Sequence, residues 1–169
     1  SSTSVFRGLK TLDTAFDVIG DIVLSAASQQ YGGFTVPSVD EILEPYAEKS
    51  HKKLIEKYRG LGLDEETVQK VAWADLEKEM EQGFQGWEYK FNSVSSSRGD
   101  YPFITVTAGT RTSIYGKLAT IKMLEVRKNG QGKDGHKKPV LFPKIVFLYD
   151  ENLHGPGKPR SEEHTSELQ

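Results

Sequence analysis

The 169-residue chain is 36% hydrophobic and 27% charged, which suits one ordinary globular domain with a real core and a rather polar surface. A formal charge of −2 argues against a general nucleic-acid binder, since such proteins carry a basic excess, and no apolar run approaches the ~20 residues a membrane span needs. With no cysteine there is neither a disulfide nor a thiolate nucleophile. The opening SSTSVFRGLK contains no hydrophobic stretch of the signal-peptide kind, so a soluble cytoplasmic setting is expected, with no membrane and no nucleic acid as partners.

Residues 12–30 form the first predicted helix. Leu12, Ala15, Phe16, Ile19, Ile22, Val23, Ala26 and Ala27 recur at three-and-four spacing, Thr11 can cap the start, and Tyr31-Gly32-Gly33 stops it. Asp13, Asp17 and Asp21 line the opposite side at i, i+4, i+8, a row better read as a solvated or partner-facing surface than as a cation site. Ser38-x-x-Glu41 has the form of a capping box at the head of a second helix whose buried stripe is Val39, Ile42, Leu43, Tyr46, Ala47 and Leu54. Pro45 falls inside that pattern and should kink or restart the helix, because its ring removes a backbone donor. Charged residues 48–59 read as a wet face. Gly60-Leu61-Gly62 breaks the chain, and Asp64, Glu65 and Glu66 open a third helix with the charge its dipole favours. That helix runs through Val68, Val71, Ala72, Leu76, Met80 and Phe84 toward Phe91, with Gly83 and Gly86 expected to loosen its end.

Past Asn92 the pattern changes. Residues 92–101 form a loop of small polar residues, and FITVT at 103–107 alternates as a β-branched strand. Residues 113–127 return to helical spacing through Ile114, Leu118, Ile121 and Leu124. NGQGKDGHKK at 129–138 is a Gly-rich basic loop, and within the apolar run 140–149 residues 145–149 make the firmest second strand. Strand, helix and strand at this spacing predict a right-handed parallel βαβ unit, and the whole is α/β with a helical front half.

Several motifs carry less than they suggest. GQGKDG lacks the GK[ST] ending of a phosphate-cradling loop, and the four histidines show no ligand-pair spacing, so no metal site is expected. Arg98-Gly99-Asp100 spells an adhesion tripeptide by coincidence. RSEEHTSELQ at 160–169 corresponds codon for codon to AGA TCG GAA GAG CAC ACG TCT GAA CTC CAG, the start of a widely used sequencing adapter; it is expected to lie outside the fold. Residues 1–8 are expected to be a non-native start, leaving 9–159 as one partial domain.

Three long blocks, YGGFTVPSVDEILEPY, WEYKFNSVSSSRGDYPFITVTAGT and KKPVLFPKIVFLYDENL, resemble in wording and order the anaerobic (class III) ribonucleoside-triphosphate reductases, which are glycyl-radical enzymes. The resemblance implies a ten-stranded α/β barrel of which this chain holds a middle slice. It implies reduction of ribonucleoside triphosphates to deoxyribonucleotides, with a glycyl radical made by a separate activase and electrons from formate or a thiol system. The radical-carrying and reducing cysteines, the glycyl loop and the structural zinc of that family fall outside these blocks. The chain therefore carries no catalytic residue and no cofactor of its own, and is expected to be inactive alone.

By the same resemblance, the helix face at residues 17–30 belongs to the homodimer surface where deoxynucleotide effectors bind, and the loop at 92–101 links effector to substrate choice. Chemistry agrees: the hydroxyls of Ser95, Ser96 and Ser97 and the amide of Gly99 can donate to phosphate or ribose oxygens, and Arg98 can fork onto phosphate or stack on a base. Asn92, where helix turns to loop, is a candidate contact or a plain helix cap. Lys133, Lys137 and Lys138 are candidates for triphosphate contact. The alternative function is a stand-alone nucleotide-binding or regulatory module without catalysis.

Overall fold

The computed structural model describes residues 11–29, 33–93, 103–130 and 143–159. Helix α1 (Leu12–Ser28) starts as its sequence dictates, with the Thr14 N–H donating to Thr11 Oγ1 at 3.3 Å. Its buried stripe is Leu12, Ala15, Phe16, Ile19, Val23 and Ala27, while Ile22, expected on that stripe, is 42% exposed. Asp13, Asp17 and Asp21 face solvent, and Asp21 reaches Lys90 Nζ at 2.6 Å.

After Gly33 comes a strand the helical periodicity hid, β1 (Phe34–Val36). Three residues between a glycine and a proline are too few to show alternation, and only pairing identifies them. Helix α2 (Val39–Gly60) follows and runs unbroken through Pro45, so the expected restart there does not occur. Nor does the capping box form. Ser38 sits in the left-handed region (φ 49, ψ 58) without a side-chain cap bond, and its N–H donates instead to Thr107 Oγ1 at 2.8 Å. Tying the chain to the sheet has displaced the local cap. A left-handed non-glycine residue costs about 1–2 kcal/mol, so Ser38→Gly is expected to leave stability unchanged or raise it by about 1 kcal/mol. A capping serine would give the opposite sign, a loss of about 1 kcal/mol, and a urea melt separates the two.

Asp64 caps helix α3 (Glu65–Ser93), its carboxylate accepting from the Thr67 N–H at 3.1 Å and the Thr67 hydroxyl at 2.6 Å. The helix is continuous across Gly83 and Gly86. Gly83 is there for close approach: a Cβ would stand 2.2 Å from the Phe16 ring. Phe16 in turn packs edge-on against Phe84 and Trp87, each at 5.0 Å, and the Trp87 indole N–H donates to the Phe16 carbonyl at 2.7 Å. Helices α1 and α3 are locked by that aromatic knot, worth about 0.5–1.5 kcal/mol per ring pair beyond area burial.

Strand β2 (Ile104–Ala108), helix α4 (Ile114–Asn129) and strand β3 (Lys144–Phe147) form the expected parallel βαβ unit; the short helix α5 (Glu151–His154) follows. The sheet is three-stranded and all parallel, in the order β1-β2-β3. Val36, Ile104, Val106 and Ala108 bury one face in a core shared with α1 to α4. The chain is thus α/β, mostly helical, with a small parallel sheet at one side of a helical layer. Among the described residues no helix is long and apolar enough to cross a membrane.

Candidate functional site

Parallel strands place all three carboxyl ends at one edge of the sheet, where ligands of open α/β sheets commonly bind. There Gly109 leaves β2 at φ 127, and a Cβ on it would lie 2.8 Å from the Leu148 carbonyl oxygen. Asp40, in the first turn of α2, is fully buried beneath this turn, and one carboxylate oxygen accepts from the Gly109 N–H (3.2 Å) and the Arg111 N–H (3.1 Å). Arg111 then forks onto Glu44 at 2.7 and 3.3 Å. Ser113 caps α4 by accepting from the Gly116 N–H at 3.0 Å.

His154 closes the edge from the other side. Its Nε2 donates to the Gly109 carbonyl (2.7 Å), and its Nδ1 lies 2.9 Å from the Asp150 nitrogen and 3.0 Å from the Asp150 carbonyl oxygen. Tyr149 stacks on it at 5.4 Å. The turn from 109 to 113 is therefore held by a buried carboxylate, a buried imidazole and an ion pair. What this arrangement does is hold a backbone turn in place; with no thiol in the chain it presents no thiolate nucleophile.

A second buried polar cluster lies where α3, α4 and β3 meet. Glu88, 4% exposed, accepts from Arg127 Nε at 2.9 Å, and Arg127 also donates to the Pro143 carbonyl just before β3. Burial pushes the Glu88 carboxyl above its ordinary value, and pairing with Arg127 offsets part of that rise. A third cluster centres on His51, nearly buried against the Trp73 ring edge (5.4 Å), with Nδ1 2.8 Å from the Tyr115 hydroxyl. Burial lowers the His51 pKa, favouring the neutral form of the ring.

Of the residues the sequence nominated, Asn92 stands in the last turn of α3, and its side-chain amide donates to the Glu88 carbonyl at 2.6 Å. It is thereby one link from the Glu88–Arg127 pair. Ser95, Ser96, Ser97, Arg98 and Gly99 lie outside the described residues, as do Lys133, Lys137 and Lys138. The described residues that follow those two segments, Phe103 and Pro143, stand at the amino ends of β2 and β3, opposite the Gly109 edge. Asp40, Glu88, Arg127 and His154 were not singled out from the sequence. A charge inside an apolar stripe was the available signal for Asp40 and Glu88; nothing local marks the pairing of residues 39 positions apart. Among the described residues no group of three or more His, Asp or Glu side chains is placed to hold a metal ion.

The fold defines an α/β protein with a small parallel sheet, and comparison with known proteins makes the class specific. The family profile described as anaerobic ribonucleoside-triphosphate reductase matches residues 3–165. The anaerobic ribonucleoside-triphosphate reductase of Haemophilus influenzae is 37% identical over 145 residues, which cover 86% of this chain and 20% of that protein. Its counterpart in Enterobacteria phage T4 is 32% identical over 86% of this chain and 23% of its own length, and that of Escherichia coli 32% identical over 89% and 21%. The chain belongs to the anaerobic ribonucleoside-triphosphate reductase family, and it spans about a fifth of the length of these curated relatives.

Proposed function

We propose that the chain is a working segment of an anaerobic reductase that converts ribonucleoside triphosphates to deoxyribonucleotides, and that its sheet is a slice of a ten-stranded α/β barrel. The observation that carries this reading is the family match across nearly the whole chain, in a protein that spans about a fifth of its relatives. In this reading α1 contributes to the homodimer face where deoxynucleotide effectors bind, and the segment after Asn92 conveys effector identity to the substrate site. The radical chemistry is supplied by cysteines and a glycyl radical elsewhere in the whole enzyme, activated by a separate protein in the cytoplasm. A chain without cysteine offers no sulfur for a thiyl radical, so these 169 residues alone are expected to reduce nothing.

Two features of the fold support the allosteric part. The end of α3 and the start of β3 are joined through Asn92, the Glu88 backbone and carboxylate, and Arg127, so a displacement at one is resisted at the other. The Gly109 turn is clamped by Asp40 and His154, which fixes the carboxyl end of β2. Allosteric couplings of this kind are worth about 1–3 kcal/mol. In the intact reductase, Arg98→Ala is therefore expected to shift effector-dependent substrate preference by about fivefold or more while circular dichroism stays unchanged. Unchanged preference under every effector would sink the loop assignment.

A further inference from the structure

Where α2, α3 and α4 meet, a single imidazole is enclosed by all three helices. His51 of α2 is 8% exposed, with the Trp73 ring of α3 at 5.4 Å between ring centres and the Tyr115 ring of α4 at 5.6 Å, both edge to face. Its Nδ1 lies 2.8 Å from the Tyr115 hydroxyl, and its Nε2 is buried with no hydrogen-bond partner among the described residues. The helices themselves bury this ring, so its burial does not depend on what else of a longer protein surrounds them.

The two protonation states fare differently in that setting. A neutral ring with its proton on Nδ1 donates to the Tyr115 oxygen and leaves Nε2 as a bare lone pair, a small loss. An imidazolium is a donor at both nitrogens, and its Nε2 N–H finds no acceptor. A neighbouring aromatic ring attracts a cation by less than the burial of an uncompensated ion costs.

The charges nearby are committed elsewhere. On α2, Glu48 and Lys52 pair with each other at 3.1 Å and act on Tyr115 with opposite signs. On α3, Asp75 accepts from Tyr58, Glu77 stands 3.7 Å from Lys122, and Glu79 engages Ser50. On α4 the titratable neighbours are Tyr115, whose pKa burial raises, and Lys117; neither supplies a negative charge. Burial moves the His51 ring below its ordinary value with no charge opposing it.

The position of the ring gives it leverage. Tyr115 is the second residue of α4 and follows directly on the turn from 109 to 113. That turn is tied to α2 through Asp40 and through the Arg111–Glu44 pair. His51 makes a third tie about two helical turns beyond Glu44, and among the three it alone has an ordinary pKa between pH 5 and 8.

We propose that His51 is an acid-sensitive latch: proton uptake by its imidazole opens the α2–α4 junction at Tyr115 and loosens the start of α4. The stability it contributes is fully present above the ordinary imidazole value of 6.5 and is lost as the pH falls below it, because the unfolded ring takes up the proton first. The latch is built from three described helices and does not depend on the reductase chemistry.

Hydrogen exchange of the intact reductase, read by mass spectrometry and corrected for the intrinsic rate at each pH, tests this. Protection of residues 114–121 is expected to fall about fivefold or more between pH 7.5 and 5.5, toward a ceiling of about tenfold set by the ordinary value of 6.5. Residues 20–28 of α1 serve as the unaffected reference. In His51→Asn, whose amide oxygen takes the place of the Nδ1 acceptor without titrating, the fall should be absent. His51→Phe, which keeps the ring and loses both nitrogens, should be equally flat. Protection in the wild type that ignores pH overturns the proposal. So does a fall of wild-type size in either variant that matches the wild type at pH 7.5, since another group would then be titrating. Neither result bears on the Arg98→Ala experiment, which reads substrate preference.

Discussion

Arg127→Met is expected to destabilise the chain by about 3 kcal/mol or more, the cost of leaving a buried carboxylate without its partner. Glu88 is 4% exposed, Arg127 Nε lies 2.9 Å from it, and the second arm of the guanidinium holds the Pro143 carbonyl. Methionine replaces the stem of the side chain and none of these donors. Much of the loss should come from the stranded charge, so Arg127→Met combined with Glu88→Leu should be more stable than Arg127→Met alone. The pH dependence has a definite sign. The Glu88 carboxyl is already raised by burial, and loss of Arg127 removes the interactions that hold it down. A raised carboxyl contributes stability fully present below its unfolded value, near the ordinary 4.5, and lost as pH rises through the folded one. The deficit of the variant should therefore shrink as the pH is lowered toward 4. Urea midpoints between pH 4 and 8 check this; a deficit under about 1 kcal/mol that ignores pH would mean the pair is effectively solvated.

Asp40→Ala should cost about 2–4 kcal/mol, because two backbone donors lose a charged acceptor inside the protein. Gly109 and Arg111 supply those N–H groups, and Gly109 has no room to turn elsewhere with the Leu148 carbonyl 2.8 Å from where its Cβ would be. Asp40→Asn keeps an acceptor of the same shape and should lose about half as much. Amide exchange offers a residue-level check: protection of Gly109 and Arg111 should fall in the alanine variant far more than that of Val106. Uniform loss across β2 would show that Asp40 supports the helix start rather than the turn.

Much of the architecture was legible in the order of residues because it is made by local chemistry. Leu12, Phe16, Ile19 and Val23 announce a helix face, Thr11 its cap, Asp64 the start of α3, and alternation in FITVT a strand with one apolar side. Three of the departures share one physical cause, contact between residues distant in the chain. Ser38 gives up its capping box because Thr107, 69 residues on, takes its N–H. Gly83 reads as a weak point in a helix until Phe16 is seen lying on it. Phe34–Val36 is a strand only because Ile104 to Val106 lie beside it. The candidate site divides the same way. A loop of serines with one arginine can be recognised from composition, whereas the pairings of Asp40 and Glu88 exist only once the helices and strands are in place.

The most direct test of the central claim, that this chain is part of an anaerobic ribonucleotide reductase, is to sequence the source locus past both ends of its reading frame. The account predicts codons for cysteine-bearing segments on both sides of residues 9–159 and, further downstream, a glycyl-radical loop. A genuine stop codon directly after Gln169, with no cysteine codon in the frame upstream, would contradict it and leave a nucleotide-binding module in place of an enzyme.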